Sequence, residues 1–246
     1  MIKQMFFKIK RRLASLARNY AARQWFWRQW RIYQTLPGAE PLRKEDIWMC
    51  LHDRIPTTPF DPHYFYQAVW AAKEIYRLGH PEHVDVGSDH RFVGQLTAFT
   101  RVIFIDLRPL AANVEGLECR AGDILSLPFR DASVMSLSCL HVAEHIGLGR
   151  YGDPLDPKGT EKACKELMRV LAPRGSLLFS VPVGRARVQF NAHRIHTPEQ
   201  ILSYFSGLEL VSFSAVDDAR KFVPDADPAE FANSNYACGM FHFRRL

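Results

Sequence analysis

The sequence predicts an α/β protein built on a doubly wound, mostly parallel sheet. Between residues 83 and 183, short apolar runs end in an acid, a small residue or a histidine, as in HVDVGS, VIFIDL and MSLSCLH. Helical segments separate these runs, and this alternation implies parallel strands with helices on both faces. Apolar residues at 47% and charged residues at 24% are ordinary values for a globular protein. Residues at the carboxyl ends of the strands should therefore surround one ligand crevice.

The predicted elements beyond residue 80 alternate between strand and helix as far as residue 205. The first strand ends at Gly87, and a helix near 90–99 follows it. The next three strands cover 102–107, end at Gly122 and cover 134–140. A helix at 158–171 is followed by a turn at Arg174-Gly175, a strand at 176–183 and a helix that ends near Phe205. The last helix begins with Thr197-Pro198-Glu199-Gln200, which is a capping box with proline at the first helical position. Two final strands, in LELVSFSAVDD and CGMFHFRR, are predicted to pair antiparallel.

The chain begins with a basic segment that predicts a helical arm from Ile2 to Tyr33. Its apolar residues recur mostly at steps of three and four, which places them on one stripe of a helix. Residues 1–39 carry nine Lys or Arg and no acid, whereas the remaining residues carry 23 bases and 26 acids. The arm is therefore either an interfacial helix on anionic lipid or a helix packed on its own domain or a second subunit. The mildly acidic remainder argues against a nucleic-acid partner.

A predicted linker, TLPGAEPLRKE, separates the arm from the rest of the chain, so the predicted domains are residues 1–45 and 46–246. Asp61-Pro62 predicts the start of a helix that stops near Gly79. The five cysteines lack close metal-ligand spacing, which predicts free thiols and no metal site. No apolar run reaches the ~18–20 residues that span a bilayer, and basic residues interrupt any signal-peptide core. We therefore predict a cytoplasmic protein, with docking on the inner face of the membrane as the interfacial alternative for the arm.

The segment His141-Val-Ala-Glu144-His145 has the spacing of an inverted zinc-protease motif. On a helix, the two histidines would share a face and could bind one metal ion. The first histidine follows a strand, however, and this position favours contact with a cofactor or substrate over zinc hydrolysis. A third alternative is that His145 only caps the start of the next segment.

Two polar segments follow strands on the expected ligand side. The loop GLGRYGDPLDPKG at 147–159 exceeds the ~2–6 residues usual between a strand and a helix, so it is either a lid or a rigid surface loop. The segment GRARVQFNAHRIH at 184–196 carries cations that suit a phosphate or carboxylate substrate, although its side chains could instead bond to backbone. The predicted substrate-binding residues in these two segments are Arg150, Tyr151, Asp153, Asn191 and Arg194.

The motifs VDVGS, GDILSLPF, ELMRVLAPRGSLLFSVPVG and FNAHRIHTPEQI resemble those of the class I S-adenosylmethionine-dependent methyltransferases, which have a Rossmann-like fold. The resemblance covers about two thirds of the chain, and it is strongest to a bacterial methyltransferase-like family of unknown function associated with surface-polysaccharide synthesis. It implies S-adenosylmethionine as the cofactor. It also implies methyl transfer to a small sugar-derived or glycan acceptor.

The resemblance implies roles for residues at the ends of four strands. Residues after the first strand lie along the cofactor's methionine and ribose, and the acid after the second holds the ribose hydroxyls. The acid after the third meets the adenine amino group, and residues after the fourth line the sulfonium. The implied cofactor-binding residues are Asp85, Gly87, Ser88, Asp106, Asp123, Ile124, Cys139 and Leu140. A carboxylate such as that of Asp106 can accept hydrogen bonds from two vicinal hydroxyls, which agrees with this assignment.

The predicted catalytic residues are His141, Glu144, His145 and His193. The sulfonium methyl group is already activated, so much of the rate comes from in-line positioning. An oxygen or nitrogen acceptor also needs a base that works near pH 7, and histidine is suited to this by its ordinary pKa. The sequence does not choose among the three histidines.

The sequence departs from the methyltransferase pattern after the first strand. Related enzymes usually have G-x-G-x-G, but this chain has Gly87-Ser88-Asp89-His90, and the next glycine is Gly94. Side chains at these positions narrow the space for the cofactor, although Asp89 could instead cap the following helix. A non-catalytic adaptor at a membrane-associated glycan assembly is therefore the alternative function, and a metal-dependent hydrolase is the third.

Overall fold

The computed structural model describes the backbone of residues 2–246 and the side chains of residues 10–246. The chain divides into two units, Met1–Pro59 and Phe60–Leu246. The first unit contains the predicted helical arm, α1 (Ile2–Tyr33), and one turn of 3-10 helix at Lys44–Asp46. Within residues 2–246, no helix has the length and hydropathy needed to cross a bilayer.

The described side chains of α1 leave much of its apolar surface uncovered. Leu13, Leu16 and Tyr20 are all exposed. Nearer the end of the helix, the ring of Trp27 packs edge-on against Trp30, with ring centroids 6.0 Å apart. Apolar surface is therefore exposed in the middle of α1 and, through Ile32 and Tyr33, again at its end.

The second unit is built on an eight-stranded sheet. Its strands are β1 (Glu82–Val86), β2 (Arg101–Asp106), β3 (Leu117–Ala121), β4 (Val134–Leu140), β5 (Leu171–Val183), β8 (Glu209–Val216), β9 (Phe222–Val223) and β10 (Ala237–Arg244), and a separate hairpin contains β6 (Arg187–Gln189) and β7 (His193–Ile195). The helices are α2 (Pro62–Leu78), α3 (His90–Leu96), α4 (Gly159–Val170) and α5 (Pro198–Tyr204), with 3-10 turns at Ala143–His145 and Pro228–Phe231.

The strand order is β3-β2-β1-β4-β5-β10-β8-β9. Neighbours from β3 to β5 are parallel, whereas β10 lies antiparallel between β5 and β8. The predicted Rossmann-like fold with an antiparallel carboxyl-terminal pair is confirmed. Because the winding reverses between β1 and β4, the crevice for a ligand is expected above the ends of these two strands.

Alternating side chains of the strands form two apolar cores, one on each face of the sheet. Val84 and Val86 of β1 face the core that α4 and α5 cover, as the period of two in a strand requires. The core on the opposite face includes Trp70 of α2 and Phe92 of α3. Because side chains on both faces of the sheet are buried, the sequences of the strands are nearly continuous apolar runs.

The predicted helix ends agree with the structure. The carboxylate of Asp61 accepts hydrogen bonds from two backbone amides in the first turn of α2, and Gly79 ends that helix in the left-handed conformation, with φ 65°. Thr197 and Gln200 form the capping box of α5. Asp89 caps α3 by accepting from the amide of Arg91 at 2.9 Å, which is the local alternative that the sequence left open.

One predicted turn is instead part of a strand. The sequence suggested a turn at Arg174-Gly175, but β5 already begins at Leu171 and continues through these residues as a bulge. The amide of Arg174 donates to the carbonyl of Arg245 at 2.8 Å, and the amide of Arg245 donates to the carbonyl of Gly175 at 3.0 Å. These bonds hold the backbone in the sheet even though Arg174 has a φ of 63°.

Candidate functional site

The turn after β1 lies close to the segment that follows β4. Gly87 has a φ of 72°, which favours glycine, and a Cβ added there would lie 3.0 Å from a methyl carbon of Val142. The hydroxyl of Ser88 accepts a hydrogen bond from the amide of Leu140 at 3.0 Å. The two turns at the switch point of the sheet are therefore joined directly.

Asp85 holds this turn from beneath. Its buried carboxylate accepts hydrogen bonds from the amide of Ser88 at 3.0 Å, from the hydroxyl of Ser88 at 2.7 Å and from the hydroxyl of Ser138. Burial raises the pKa of Asp85 to about 6, although these hydrogen bonds act in the opposite direction. The oxygens of Asp85 and the hydroxyl of Ser88, both predicted to contact cofactor, are thus engaged within the protein, and their effect on a cofactor would come through the shape of the turn.

The buried polar chain continues from Asp85 to His83. His83 lies 2.8 Å from the hydroxyl of Ser138 through Nε2 and 2.7 Å from the hydroxyl of Ser136 through Nδ1. Because Ser138 donates its proton to Asp85, Nε2 of His83 must donate to Ser138. Burial lowers the pKa of His83 to about 3, so the ring is neutral at physiological pH. This chain fixes the register of β1 against β4 beneath the crevice.

Asp106 and Asp123 lie at neighbouring strand ends on the same edge of the sheet. Asp106 ends β2 opposite Ala121, and the amide of Gly122 donates to its carbonyl at 3.1 Å. Oδ1 of Asp106 accepts a hydrogen bond from the amide of Arg108 at 2.7 Å, and Oδ1 of Asp123 accepts one from the amide of Leu125 at 2.8 Å. Among the described residues, nothing donates to Oδ2 of either acid. Both Oδ2 atoms therefore remain available to a ligand.

The other predicted cofactor residues lie mainly within the cores. Ile124 and Cys139 are buried on the α4 side of the sheet, and Leu140 is buried on the α2 side. Only their backbone atoms could line a crevice above β4. The turn that contains Asp123 and Ile124 is held from α4, where Glu166 accepts from the amide of Leu127 at 2.6 Å.

The four predicted catalytic residues meet beside this crevice. Nδ1 of His141 lies 3.2 Å from Oε1 of Glu144, and Nε2 of His145 lies 3.8 Å from the same oxygen. The ring of His193, from β7, packs edge-on against His145, with centroids 6.3 Å apart. Nδ1 of His145 donates to the carbonyl of Ala192 at 2.7 Å, which fixes the position of its ring.

Burial and charge shape the protonation of this cluster. Burial alone would raise the pKa of Glu144, but the ring of His141 outweighs it and lowers that pKa. Burial alone would lower the pKa of His141, yet Cys238 and Glu144 raise it. Burial lowers the pKa of His193. Glu144 is therefore an anion near pH 7, while His193 is neutral and able to accept a proton.

Two buried polar atoms of the cluster have no hydrogen-bond partner among the described residues. They are Oε2 of Glu144 and Nε2 of His193. A buried polar atom without a partner costs about 1–3 kcal/mol, so its presence points to a bound group or water that satisfies it. A ligand hydroxyl can both donate and accept, which suits a carboxylate oxygen and an imidazole nitrogen together.

The loop at 147–159 is stabilised by residues that the sequence had assigned to substrate. The carboxylate of Asp153 accepts from the amides of Gly147 and Tyr151, at 2.6 and 3.2 Å. Arg194 is buried and donates to the carbonyls of Ile146 and Asp156. Asp153 and Arg194 thus fold the loop, and their charged groups have local partners. The exposed residue Asn191 lies in the turn of the β6–β7 hairpin.

The same loop extends over the end of β1. The guanidinium of Arg108 lies 4.8 Å from the ring centroid of Tyr151, and that of Arg150 lies 5.0 Å from it. Arg108 follows β2, whereas Tyr151 belongs to the loop after β4, and β1 lies between these strands. Arg150 also donates to the carbonyl of Ala192 at 3.1 Å, which links the loop to the hairpin. The loop therefore lies over the switch point, and we predict that it acts as a lid there.

Replacing Tyr151 with alanine should open this lid. Arg150 moves with the loop, so opening breaks only the cation–π contact between Arg108 and Tyr151. Such a contact at an exposed site is worth ~0.5–1 kcal/mol, so the open population should rise about two- to fivefold. Limited proteolysis followed by mass spectrometry measures this as faster cleavage within residues 147–159. Tyr76→Ala, which removes an exposed tyrosine of α2, is the matched control and should leave that cleavage rate unchanged. Equal rates for wild type and Tyr151→Ala would contradict the lid.

Several residues of the site were not predicted. His63 and Tyr64 of α2, Arg108 after β2, and Tyr236 and Cys238 near β10 all contribute rings or polar atoms to it. They come from elements far apart in the sequence, and no local spacing links them. A sequence signal existed only for Arg108, which follows the strand-ending acid by two residues.

Comparison with known proteins supports a methyltransferase domain. Residues 84–179 match a family model described as a methyltransferase domain, and residues 133–228 match DUF268, described as a Caenorhabditis protein of unknown function. No curated protein matches the sequence. The methyltransferase model covers the segment from β1 to β5, which contains the switch point and the acids Asp106 and Asp123.

Solved structures share the fold at low sequence identity. The N-methyltransferase NodS from Bradyrhizobium japonicum WM9, in complex with S-adenosyl-L-homocysteine, has a TM-score of 0.54 and 16% identity, over 78% of this chain and 90% of that chain. The [4+2]-cyclase SpnF has a TM-score of 0.55 and 16% identity, over 73% of this chain and 80% of that chain. The chain therefore has the class I methyltransferase fold. Because one of these relatives is a cyclase, fold alone does not define the reaction.

Proposed function

We propose that this protein is an S-adenosylmethionine-dependent methyltransferase whose acceptor is a hydroxyl or acid group on a small sugar-derived or glycan molecule. The observation that carries the proposal is the pair of acids at adjacent strand ends, Asp106 and Asp123, each with one free carboxylate oxygen beside the switch point. NodS, which shares this fold, was solved with the demethylated form of the cofactor.

The cofactor would bind between the two acids and the turn after β1. Asp106 accepts from the ribose hydroxyls, and Asp123 accepts from the adenine amino group. Gly87 gives the backbone close approach to the ligand, and the closed lid excludes water. The cofactor supplies an activated methyl group on its sulfonium, while this chain's residues bind and orient it.

The acceptor would bind beside Glu144 and His193. The acceptor hydroxyl donates to His193, which takes its proton during transfer, and Oε2 of Glu144 holds a neighbouring hydroxyl of the acceptor. Two vicinal hydroxyls of this kind are typical of sugars, which is why a sugar-derived acceptor suits the cluster. Arg150 beside the lid tyrosine adds a cation for a phosphate or carboxylate on the same acceptor.

The test is methyl transfer from isotopically labelled S-adenosylmethionine to a panel of sugars, sugar phosphates and nucleotide sugars. We expect release of S-adenosylhomocysteine with at least one acceptor. The rate of transfer should fall by a factor of about 100 or more in His193→Gln, since a general base contributes ~10²–10⁴-fold. The variant should bind cofactor as wild type does. His80→Gln changes a histidine at the opposite edge of the sheet and is the matched control. Equal transfer rates for His193→Gln and wild type would refute its role as the base.

The helical arm α1 has the composition of a membrane-binding helix. We propose that α1 binds the anionic inner surface of a membrane, as its exposed Leu13 and Leu16 and its excess of basic residues favour. The full chain should sediment with vesicles containing phosphatidylserine more than with neutral vesicles, and less at high salt. Deletion of residues 1–34 should abolish this, and Leu13→Ser with Leu16→Ser should weaken it. Equal sedimentation of the deletion variant and the full chain would refute the proposal.

A second function is a non-catalytic adaptor on the same fold. It is favoured by the contacts that narrow the switch point, where Val142 packs on Gly87 and Ser88 bonds to the amide of Leu140. Asp89, at a position where related enzymes have glycine, is committed to an ion pair with Arg91 at 2.9 Å. An adaptor would remain folded and would not bind S-adenosylmethionine, whereas the free oxygens of Asp106 and Asp123 favour the enzyme.

A further inference from the structure

Three metal-ligand side chains converge beside the catalytic cluster. They are His63 from the first turn of α2, His141 after β4 and Cys238 in β10, and one ligand atom from each lies within 4.8 Å of the others. Nε2 of His141 lies 3.2 Å from the sulfur of Cys238. His141 and Cys238 are buried, whereas His63 is partly exposed. The trio therefore has both a protected interior and a path to solvent.

The donor set has the chemistry of a zinc site. Two imidazole nitrogens and one thiolate are the ligands that Zn²⁺ prefers, with Zn–N distances near 2.0–2.1 Å and Zn–S near 2.3 Å. A tetrahedral ion with such bonds holds its ligand atoms a few ångströms apart, which agrees with the separations observed. Three protein ligands leave the fourth position of the ion for water or a substrate atom, as in catalytic zinc sites.

The surroundings of the trio also resemble those of a metal site. Nδ1 of His141 lies 3.2 Å from the buried carboxylate of Glu144, and a metal-binding histidine usually donates its second nitrogen to a carboxylate in this way. This leaves Nε2, the atom beside Cys238, free to coordinate. The ring of Tyr236 stacks on His63 with centroids 5.1 Å apart. Two backbone amides that donate to Asp218, both at 2.7 Å, hold Tyr236 in place.

We propose that His63, His141 and Cys238 bind one zinc ion, with Glu144 as the carboxylate that orients His141. A cysteine nucleophile paired with His141 would share part of this geometry. Cys238 is fully buried, however, and a substrate carbonyl could not reach its sulfur, whereas a single ion could. The zinc proposal uses other residues than the acids at β2 and β3, so it does not depend on the methyltransferase assignment.

The test is zinc binding by the full-length protein. After treatment with a chelator and desalting, wild type is titrated with Zn²⁺ in competition with a chromogenic chelator. We expect one equivalent of tight binding, a higher melting temperature with zinc, and, with Co²⁺ in place of zinc, a thiolate-to-cobalt charge-transfer band. Cys238→Ser and His63→Gln should lose the tight equivalent, and Glu144→Gln should bind about 10–100-fold more weakly.

Two cysteine variants serve as matched controls. Cys164→Ser changes a buried thiol of α4, and Cys50→Ser changes an exposed thiol; both should keep the tight equivalent. If Cys238→Ser does not fold, the cobalt band of wild type and its loss in His63→Gln still decide the question. No tight equivalent in wild type, binding of Cu⁺ but not Zn²⁺, or full affinity in His63→Gln would each overturn the proposal.

Discussion

Replacing Asp106 with alanine should weaken binding of S-adenosylmethionine about 100-fold or more. In the proposed cofactor site, the variant would lose two hydrogen bonds from the ribose to a charged acceptor, and such bonds contribute ~1.5–3 kcal/mol each. Asp106→Asn keeps the oxygen that caps the following turn, through the 2.7 Å bond from the amide of Arg108, so it should lose only about tenfold. Equilibrium dialysis with labelled cofactor measures all three affinities.

The control for this series is Asp131→Asn. Asp131 precedes β4 and lies at the opposite edge of the sheet, where its exposed carboxylate pairs with Arg169. We expect the affinity of this variant to equal that of wild type. If Asp106→Ala and Asp131→Asn bind the cofactor equally well, the ribose does not contact Asp106 and the assignment of the cofactor site is wrong.

Replacing Asp85 with asparagine should change how stability depends on pH. Burial raises the folded pKa of Asp85 to about 6 from an ordinary value of 3.8, so the folded state binds this proton more tightly than the unfolded state does. The stabilising contribution of the protonated group is fully present below pH ~3.8 and is lost as pH rises through ~6. Between pH 4.5 and 7, the wild type should lose roughly 2 kcal/mol from this group, since one pKa unit equals ~1.36 kcal/mol.

Urea unfolding of wild type and Asp85→Asn at both pH values measures this difference. The free energy of unfolding of wild type relative to the variant should fall by roughly 2 kcal/mol from pH 4.5 to 7. His83 is a separate titrating group that is present in both proteins, so its contribution to the pH dependence cancels in the comparison. A relative stability that is constant across this pH range would show that the carboxyl of Asp85 has an ordinary pKa in the folded state.

The sequence predicted the elements with strong periodic patterns. The apolar run Val134–Leu140 coincides with β4, and the capping box at Thr197 coincides with the start of α5, because both signals depend on neighbouring residues alone. The β6–β7 hairpin was missed, since three-residue strands carry no detectable periodicity. The prediction of a turn at Arg174 was wrong for a related reason, because the backbone partner of Arg174 is Arg245, near the carboxyl end of the chain.

The site was predictable to the extent that strand ends define it. Strand periodicity placed Asp106 and His141 at the carboxyl edge, and the structure puts them there. Periodicity could not show that Arg194 folds the lid loop, because its type and position suited a substrate anion equally well. It also could not find the trio of His63, His141 and Cys238, since only the packing of α2 and β10 against the sheet brings these residues together.

Calorimetric titration of the full-length protein with S-adenosylmethionine tests most directly whether the hollow above β1 and β4 holds a nucleoside. We expect one binding site per chain, with heat that is strongly reduced in Asp106→Ala. A folded wild-type protein that gives no heat with either the cofactor or its demethylated product would contradict the proposed cofactor site.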